Sequence, residues 1–420
     1  MHLRDNIVLA HLDRLTDSTG LIQHAIYSIP RRESGYTTDD NARALRLCTR
    51  LWCQAPEEHL LSRVTTYLSF LEYARGPGRG FHNFLSYDRR WLDAEGTGDC
   101  QGQAVRALAE VLGSSLPEDY RMLAREMIDA VLPTLADLRS LRAQAYVILA
   151  WGHLWAEGAK SIEPLEAVAW SAAQRLLQCY RRAQRPDWPW FESHLSYANA
   201  VLPHALFVAA QRWPQEGYLE VAEAAFAFLN RVTTGKGGRS LLCEAPCGPF
   251  RQETPDPFSE AEDVFWPVGN NGWYPHGEDK TLYDQQPVEA ATMADAALAA
   301  YGLLGQEHYR ASFHRAHGWF HGQNSLRQPL ADVRRGAGYD GLHRSGVNQN
   351  QGAESTLAYL AVELQNLELQ HALGDNEQTA AASASTQDKR SPLWSAADPE
   401  GTPWPLCRAL RGSNVRLVEA

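Results

Sequence analysis

Six times along this chain, a short loop rich in Gly, Asp, Asn and Gln runs directly into an apolar stretch rich in Ala and Leu. The six occurrences are Thr37–Leu45, Gly96–Gln103, Ser140–Tyr146, Ser196–His204, Asp284–Ala291 and Asn348–Ser355. Between them lie amphipathic stretches near 5–16, 57–74, 117–136, 163–184, 215–232 and 306–322. Each carries charge on one face, the pattern of a helix with one solvated side. The stretches after the polar loops are more apolar, as in Ala145–Trp151, and must be covered all round. β-branched alternation is scarce, so helical periodicity dominates. Outer then inner, six times over, predicts an all-α (α/α)6 barrel. Its inner helices are expected to start near 39, 99, 140, 197, 287 and 351. The spacing is too irregular for an open solenoid.

The extra length falls in loops near 17–37, 75–98, 185–196, 233–285 and 323–350. Most lead from an outer helix to an inner one, so they share a rim with the polar phrases. Long ordered loops in a compact domain are usually functional. The barrel is expected over 1–373, with an irregular Gly- and Pro-rich insertion at about 233–285. An extended or mobile tail is expected over 374–420.

A net charge of -11 with no long basic run argues against nucleic acid as a partner. No stretch approaches the ~20 apolar residues of a membrane span, so no membrane partner is expected. Met1–Asn6 lacks the layout of a signal peptide, and seven scattered cysteines suit a reducing compartment. The expected location is cytoplasmic. Cys243 and Cys247 form one pair with no second, and no His spacing suggests a ligand set, so neither metal nor cofactor is expected. Phosphate-binding and dinucleotide-binding glycine motifs and a nucleophile elbow are absent from the sequence.

Four regions hold more polar and aromatic residues than helix capping requires. In the first, Thr38 is read as the N-cap, with Asp39 and Asp40 in the first turn. Acids there offset the helix dipole, which leaves Tyr36, Asn41 and Arg43 unexplained. A grip on vicinal hydroxyls accounts for them, with Arg fixing the carboxylates. In the second, Trp188, Trp190 and Phe191 surround Asp187 and Glu192. An aromatic setting raises a carboxyl pKa, as a general acid near neutrality needs, and the tryptophans offer platforms for sugar rings. In the third, Asn271 and Trp273 precede Asp284, Gln285 and Gln286, which read as hydroxyl binders. Pro287 suits the first helical position. Glu289 then falls at the capping-box position, which competes with a substrate role. In the fourth, Asp340, Asn350 and Gln351 lead to Glu354. Last and first inner helices are neighbours in a closed ring, so Glu354 is expected near Asp39 and Asp40. Asp99, Arg142 and Gln144 are further candidates for the pocket wall.

These stretches resemble a bacterial family whose barrel is that of the six-hairpin glycosidases. The resemblance rests on Gly35–Ala44, Leu85–Asp88, Asp187–Glu192, Pro267–Tyr274, Asp284–Ala290 and Asn350–Leu357, and spans about 30–360. Family members are often labelled glycosyltransferase because a transferase domain is fused upstream; no such domain is expected here. The resemblance implies the barrel and a carbohydrate context. One departure is Ala198, where a polar residue is expected.

The reading is a metal-independent glycoside hydrolase acting on an oligosaccharide or glycoside through paired carboxylates. Inversion is expected by fold analogy. Glu192 or Asp187 is the expected acid and Asp40 or Glu354 the expected base, with Asp284 holding a hydroxyl. A sugar epimerase, isomerase or transferase on the same barrel is the alternative; a facing His pair would favour epimerisation. A non-catalytic carbohydrate-binding module is the third reading.

Overall fold

The computed structural model describes residues 6–76, 80–159, 162–236, 263–384 and 416–418. Cys243 and Cys247, about half of the expected insertion and most of the tail lie outside them. Among the described residues there are twelve α-helices. They are α1 (Ala10–Leu15), α2 (Thr38–Gln54), α3 (Glu58–Ala74), α4 (Gly98–Gly113), α5 (Glu118–Ala136), α6 (Leu141–Ala156), α7 (Glu163–Ala183), α8 (Val201–Arg212), α9 (Tyr218–Val232), α10 (Pro287–Leu304), α11 (Glu307–Phe320) and α12 (Ala353–Ala384).

The even-numbered helices form the inner ring. Each packs on the next, and α12 packs back on α2 to close the circle. Helices α3, α5, α7, α9 and α11 each lie outside the inner helix that precedes them, and short α1 rests on α12 in the sixth outer place. The expected barrel is therefore the observed one. The last inner helix continues to Ala384, past the expected boundary at 373. The strands are short two-stranded pairs that tie rim loops together, such as Tyr36–Thr37 with Phe84–Leu85 and His194–Leu195 with Tyr274–Pro275.

Inner helices are apolar all round because they are covered all round: in α6, every residue from Arg142 to Gly152 is buried. Small residues let them approach closely. A Cβ added at Gly102 of α4 would lie 2.9 Å from the Tyr146 Cβ and 3.0 Å from the Ala143 carbonyl of α6. Gly102→Val should therefore cost about 1–3 kcal/mol through overpacking, read as a lower urea midpoint. No helix among the described residues is long and apolar enough to cross a membrane.

Candidate active site

Antiparallel packing of each hairpin puts the N-termini of all six inner helices at one mouth. Thr37, one residue earlier than expected, is the N-cap of α2: its hydroxyl accepts the Asp40 backbone N–H at 3.2 Å. That fixes Asp40, whose two carboxylate oxygens accept the Thr37 hydroxyl at 2.8 Å and Arg43 Nη1 at 3.0 Å. Arg43 also reaches Glu354 of α12 at 3.2 Å, so the first and last inner helices meet as the closed ring requires. Burial disfavours the Arg43 charge, but Glu354, Asp40 and Asp39 outweigh it and raise its pKa.

Asp39 is placed differently. Its Oδ2 accepts Asn83 Nδ2 at 3.3 Å, while its Oδ1 is buried with no hydrogen-bond partner. Burial pushes its carboxyl up to about 6; Arg43 opposes the shift, and Asp40 and Asp99 add to it. Burial likewise raises Glu354 against the pull of Arg43. The Glu354 side chain is 43% exposed, so it sits deep among the helices yet opens to the mouth.

Arg142 of α6 organises the next sector. It donates to the Tyr197 carbonyl at 2.6 Å and to the Ser196 hydroxyl at 2.8 Å, and it contacts both Glu192 oxygens at 3.1 and 3.0 Å. Its guanidinium also lies 4.7 Å above the Tyr197 ring. The Tyr197 hydroxyl donates to Asp99 at 2.6 Å, and Ser140, the N-cap of α6, donates to the other Asp99 oxygen at 2.8 Å. Burial, then the Asp99 charge, raises the Tyr197 pKa.

Glu289 does not close a capping box. It crosses to the loop before α8, where it accepts the Ala198 N–H at 2.5 Å and Asn199 Nδ2 at 3.1 Å. Burial pushes its carboxyl up to about 7, while those donors and Arg142 oppose the rise. It clamps a strained turn, since Ala198 has φ +45°. Glu289→Ala should cost about 1–3 kcal/mol by orphaning the Ala198 N–H, and amide exchange at Ala198 should accelerate.

In a third sector, Asp284 accepts His343 Nδ1 at 2.5 Å. Gln285 and Leu342 exchange backbone hydrogen bonds at 2.9 Å, which brings the Gly341–Asn348 hairpin to the start of α10. Buried Tyr146 lies between the sectors: the charges acting on its hydroxyl come from Arg43, Asp99, Arg106 and Arg142.

Other expected site residues serve the scaffold. The Tyr36 hydroxyl donates to Asp17 at 2.7 Å. Asn41 is fully buried, bonded to the Leu21 N–H and the Thr37 carbonyl. Gln285, also fully buried, donates to the Leu282 carbonyl and Ser325 and accepts Trp319 Nε1. Asp340 accepts the Gly352 N–H and the Ser355 hydroxyl, capping α12 from a distance. Asn350 accepts the Tyr27 N–H. Trp188 and Trp190 are 3% and 0% exposed, packed on Phe228, so they are core and not sugar platforms. Asp187 is 76% exposed and faces His276 at 3.2 Å, which lowers its pKa instead of raising it. Asn271 is exposed, Gln286 is a half-buried N-cap, and the Trp273 ring approaches Tyr197 at 6.5 Å. Gln351 is buried with Oε1 unpartnered.

The sequence reading missed Tyr197, Asn83, Tyr146 and His343. His343 had a signal, standing three residues after Asp340. One described group has the donor set of a metal site: His317, His321 and Glu363, with ligand atoms all within 4.8 Å. His317 is on α11, His321 follows its last residue and Glu363 is on α12.

No protein-family model matches the chain, and no curated protein matches it in sequence. Solved structures do match in fold. A sugar epimerase from a ruminal bacterium aligns with TM-score 0.61 at 11% identity, over 86% of this chain and 97% of its own. An α-mannanase from Bacteroides thetaiotaomicron aligns with TM-score 0.56 at 10% identity, over 86% and 93%. An inactive α-1,6-mannanase variant from Salegentibacter, with two consecutive aspartates changed to asparagine and α-1,6-mannotriose bound, aligns with TM-score 0.53 at 10% identity, over 86% and 97%. The chain is thus an (α/α)6 barrel with the fold of the six-hairpin glycosidases.

Proposed function

We propose that this protein is a carbohydrate-active enzyme that hydrolyses a glycosidic bond at the acidic mouth. Asp39 is the general acid and Glu192 the general base. The observation that carries this reading is Asp39 itself: a carboxyl pushed up to about 6, with one oxygen unpartnered, in a ring of other acids. A protonated carboxyl of that kind can donate to a departing sugar oxygen near neutrality. This reading departs from the sequence expectation, which had Glu192 or Asp187 as the acid and Asp40 or Glu354 as the base: Asp40 has both oxygens occupied and acts by positioning Arg43.

In the ring of six, α2 stands opposite α8, and Glu192 lies in the loop that leads to α8. A glycosidic bond between them meets an acid on one side and a water activated by Glu192 on the other, which is the inverting arrangement. Arg142 holds Glu192 in place. Glu354, Asp99 with Tyr197, and Asp284 with His343 are left to bind hydroxyls. The mannanase variant inactivated at two consecutive aspartates supports a role for the consecutive pair Asp39 and Asp40.

A second reading has its own observation. Asp284 occupies His343 Nδ1 and so orients Nε2 for proton abstraction, as sugar isomerisation or epimerisation requires. One experiment separates the two. Manno- and gluco-oligosaccharides of both anomeric types are incubated with the wild type, Asp39→Asn and His343→Asn. Hydrolysis gives new reducing ends, formed at least about 10²-fold more slowly by Asp39→Asn and only modestly more slowly by His343→Asn. A changed hexose without new reducing ends, lost in His343→Asn, would establish the second reading.

A further inference from the structure

A cavity of about 540 Å³ opens at the other end of the barrel, beyond the first turns of the inner helices. Small-molecule sites span about 300–1,000 Å³. All six inner helices line it, through Thr49, Glu110, His153, His204, Asp295 and Gln365 in chain order. None of the acids of the opposite mouth borders it.

Each arginine of the wall is paired with a carboxylate. Arg46 donates to Glu110 at 2.7 Å, Arg106 faces Asp295 at 3.2 Å, and Arg50 pairs with Glu368. The guanidinium groups are therefore committed, which disfavours an anion. What remains is a set of buried polar atoms with no partner: Thr49 Oγ1, Gln54 Oε1, Glu110 Oε2, Gln365 Oε1, His153 Nε2 and His204 Nδ1. Thr49, Glu110, Gln365 and His204 are 1%, 8%, 5% and 9% exposed, so bulk water does not reach them freely. The carboxylate and amide oxygens are pure acceptors, and a neutral imidazole offers one donor and one acceptor nitrogen. Burial keeps both histidines neutral, lowering His153 and taking His204 to about 3. Each such atom is destabilising unless something meets it, and all six belong to side chains that line the cavity.

The occupant must therefore bring several hydrogen-bond donors and no anionic group. It must also cover Leu149, Val208, Leu298 and Trp155, which share the wall and offer water no bonds. We infer that this cavity binds a neutral, hydroxyl-rich molecule of monosaccharide size, a free sugar or polyol, at a site separate from the acidic mouth. Hydroxyls supply the donors and the carbon faces of the ring cover the apolar wall. The site does not depend on the hydrolytic reading.

The test uses the full chain. Thermal midpoints are measured with saturating D-mannose, D-glucose, myo-inositol or ethanolamine, and wild-type crystals are soaked with the same probes. Thr49→Val and His204→Leu remove unpartnered atoms with little change of shape and lie outside the mouth. At least one neutral probe should raise the wild-type midpoint by about 2 °C or more, with density in the cavity. Both variants should bind it at least tenfold more weakly, while their own midpoints without sugar hold or rise. The soak reads the site even where a variant fails to fold. Ordered water alone in the soaked cavity would overturn the inference, as would stabilisation by ethanolamine and by none of the neutral probes. A shift that survives both variants and vanishes in Asp39→Asn would place the binding at the mouth and also overturn it.

Discussion

Asp39→Asn should lower kcat/KM by about 10²–10⁴-fold, the usual contribution of a general acid, and leave the fold intact. The pH profile distinguishes this from loss of a binding contact. In the wild type the acid must be protonated, so kcat/KM should fall as pH rises through about 6, the value to which burial pushes this carboxyl. Asn does not titrate, so the residual activity of the variant should lose that limb. Stability should move the other way. A carboxyl whose folded pKa exceeds its unfolded value contributes stability below the unfolded pKa. That contribution disappears as pH rises through the folded value. Near pH 8 the wild type carries a buried charge that the variant lacks, so Asp39→Asn should unfold at higher temperature there. At pH 4 that advantage should shrink. Unchanged turnover, or an unaltered alkaline limb, would remove Asp39 from the acid role.

Arg142→Ala should be the most destabilising change at the mouth. Arg142 is 4% exposed and joins α6 to Glu192, Ser196 and Tyr197. Removing one partner of a buried ion pair strands the other and typically costs about 3–5 kcal/mol. Lys should restore little, because it cannot reproduce the planar fork that bonds three groups at once. The double variant Arg142→Ala with Glu192→Gln should recover part of the stability, since the stranded charge is gone, and none of the activity. Urea unfolding of the four proteins measures the coupling. Additive losses would show that the pair is not the unit described here.

The barrel was legible because two periodicities alternate along the chain. Amphipathic stretches such as 57–74 became outer helices, and apolar ones such as Ala145–Trp151 became inner ones. The expected inner starts fall within a few residues of the observed ones. The mouth was legible only in outline. Sequence places acids in first turns, but it does not say where a side chain is bonded. Asp40 and Asp39 are adjacent, yet Thr37 and Arg43 occupy one, while the other keeps a free oxygen. Trp188 and Trp190 looked like platforms beside acids; folding turned them inward onto Phe228 and left Asp187 at the surface. Glu289 carried a capping signature, but its partners lie some 90 residues earlier in the chain. His343 gained its role from a hairpin pairing with Gln285 that no local pattern announces.

The most direct measurement is a ¹H NMR time course of an oligosaccharide that the wild type cleaves, following the anomeric protons before mutarotation. Hydrolysis between Asp39 and Glu192 predicts a new reducing end that appears first as the inverted anomer, at a rate reduced about 10²-fold or more in Asp39→Asn. Hexose epimerisation without bond cleavage, or equal rates in the two proteins, would contradict it.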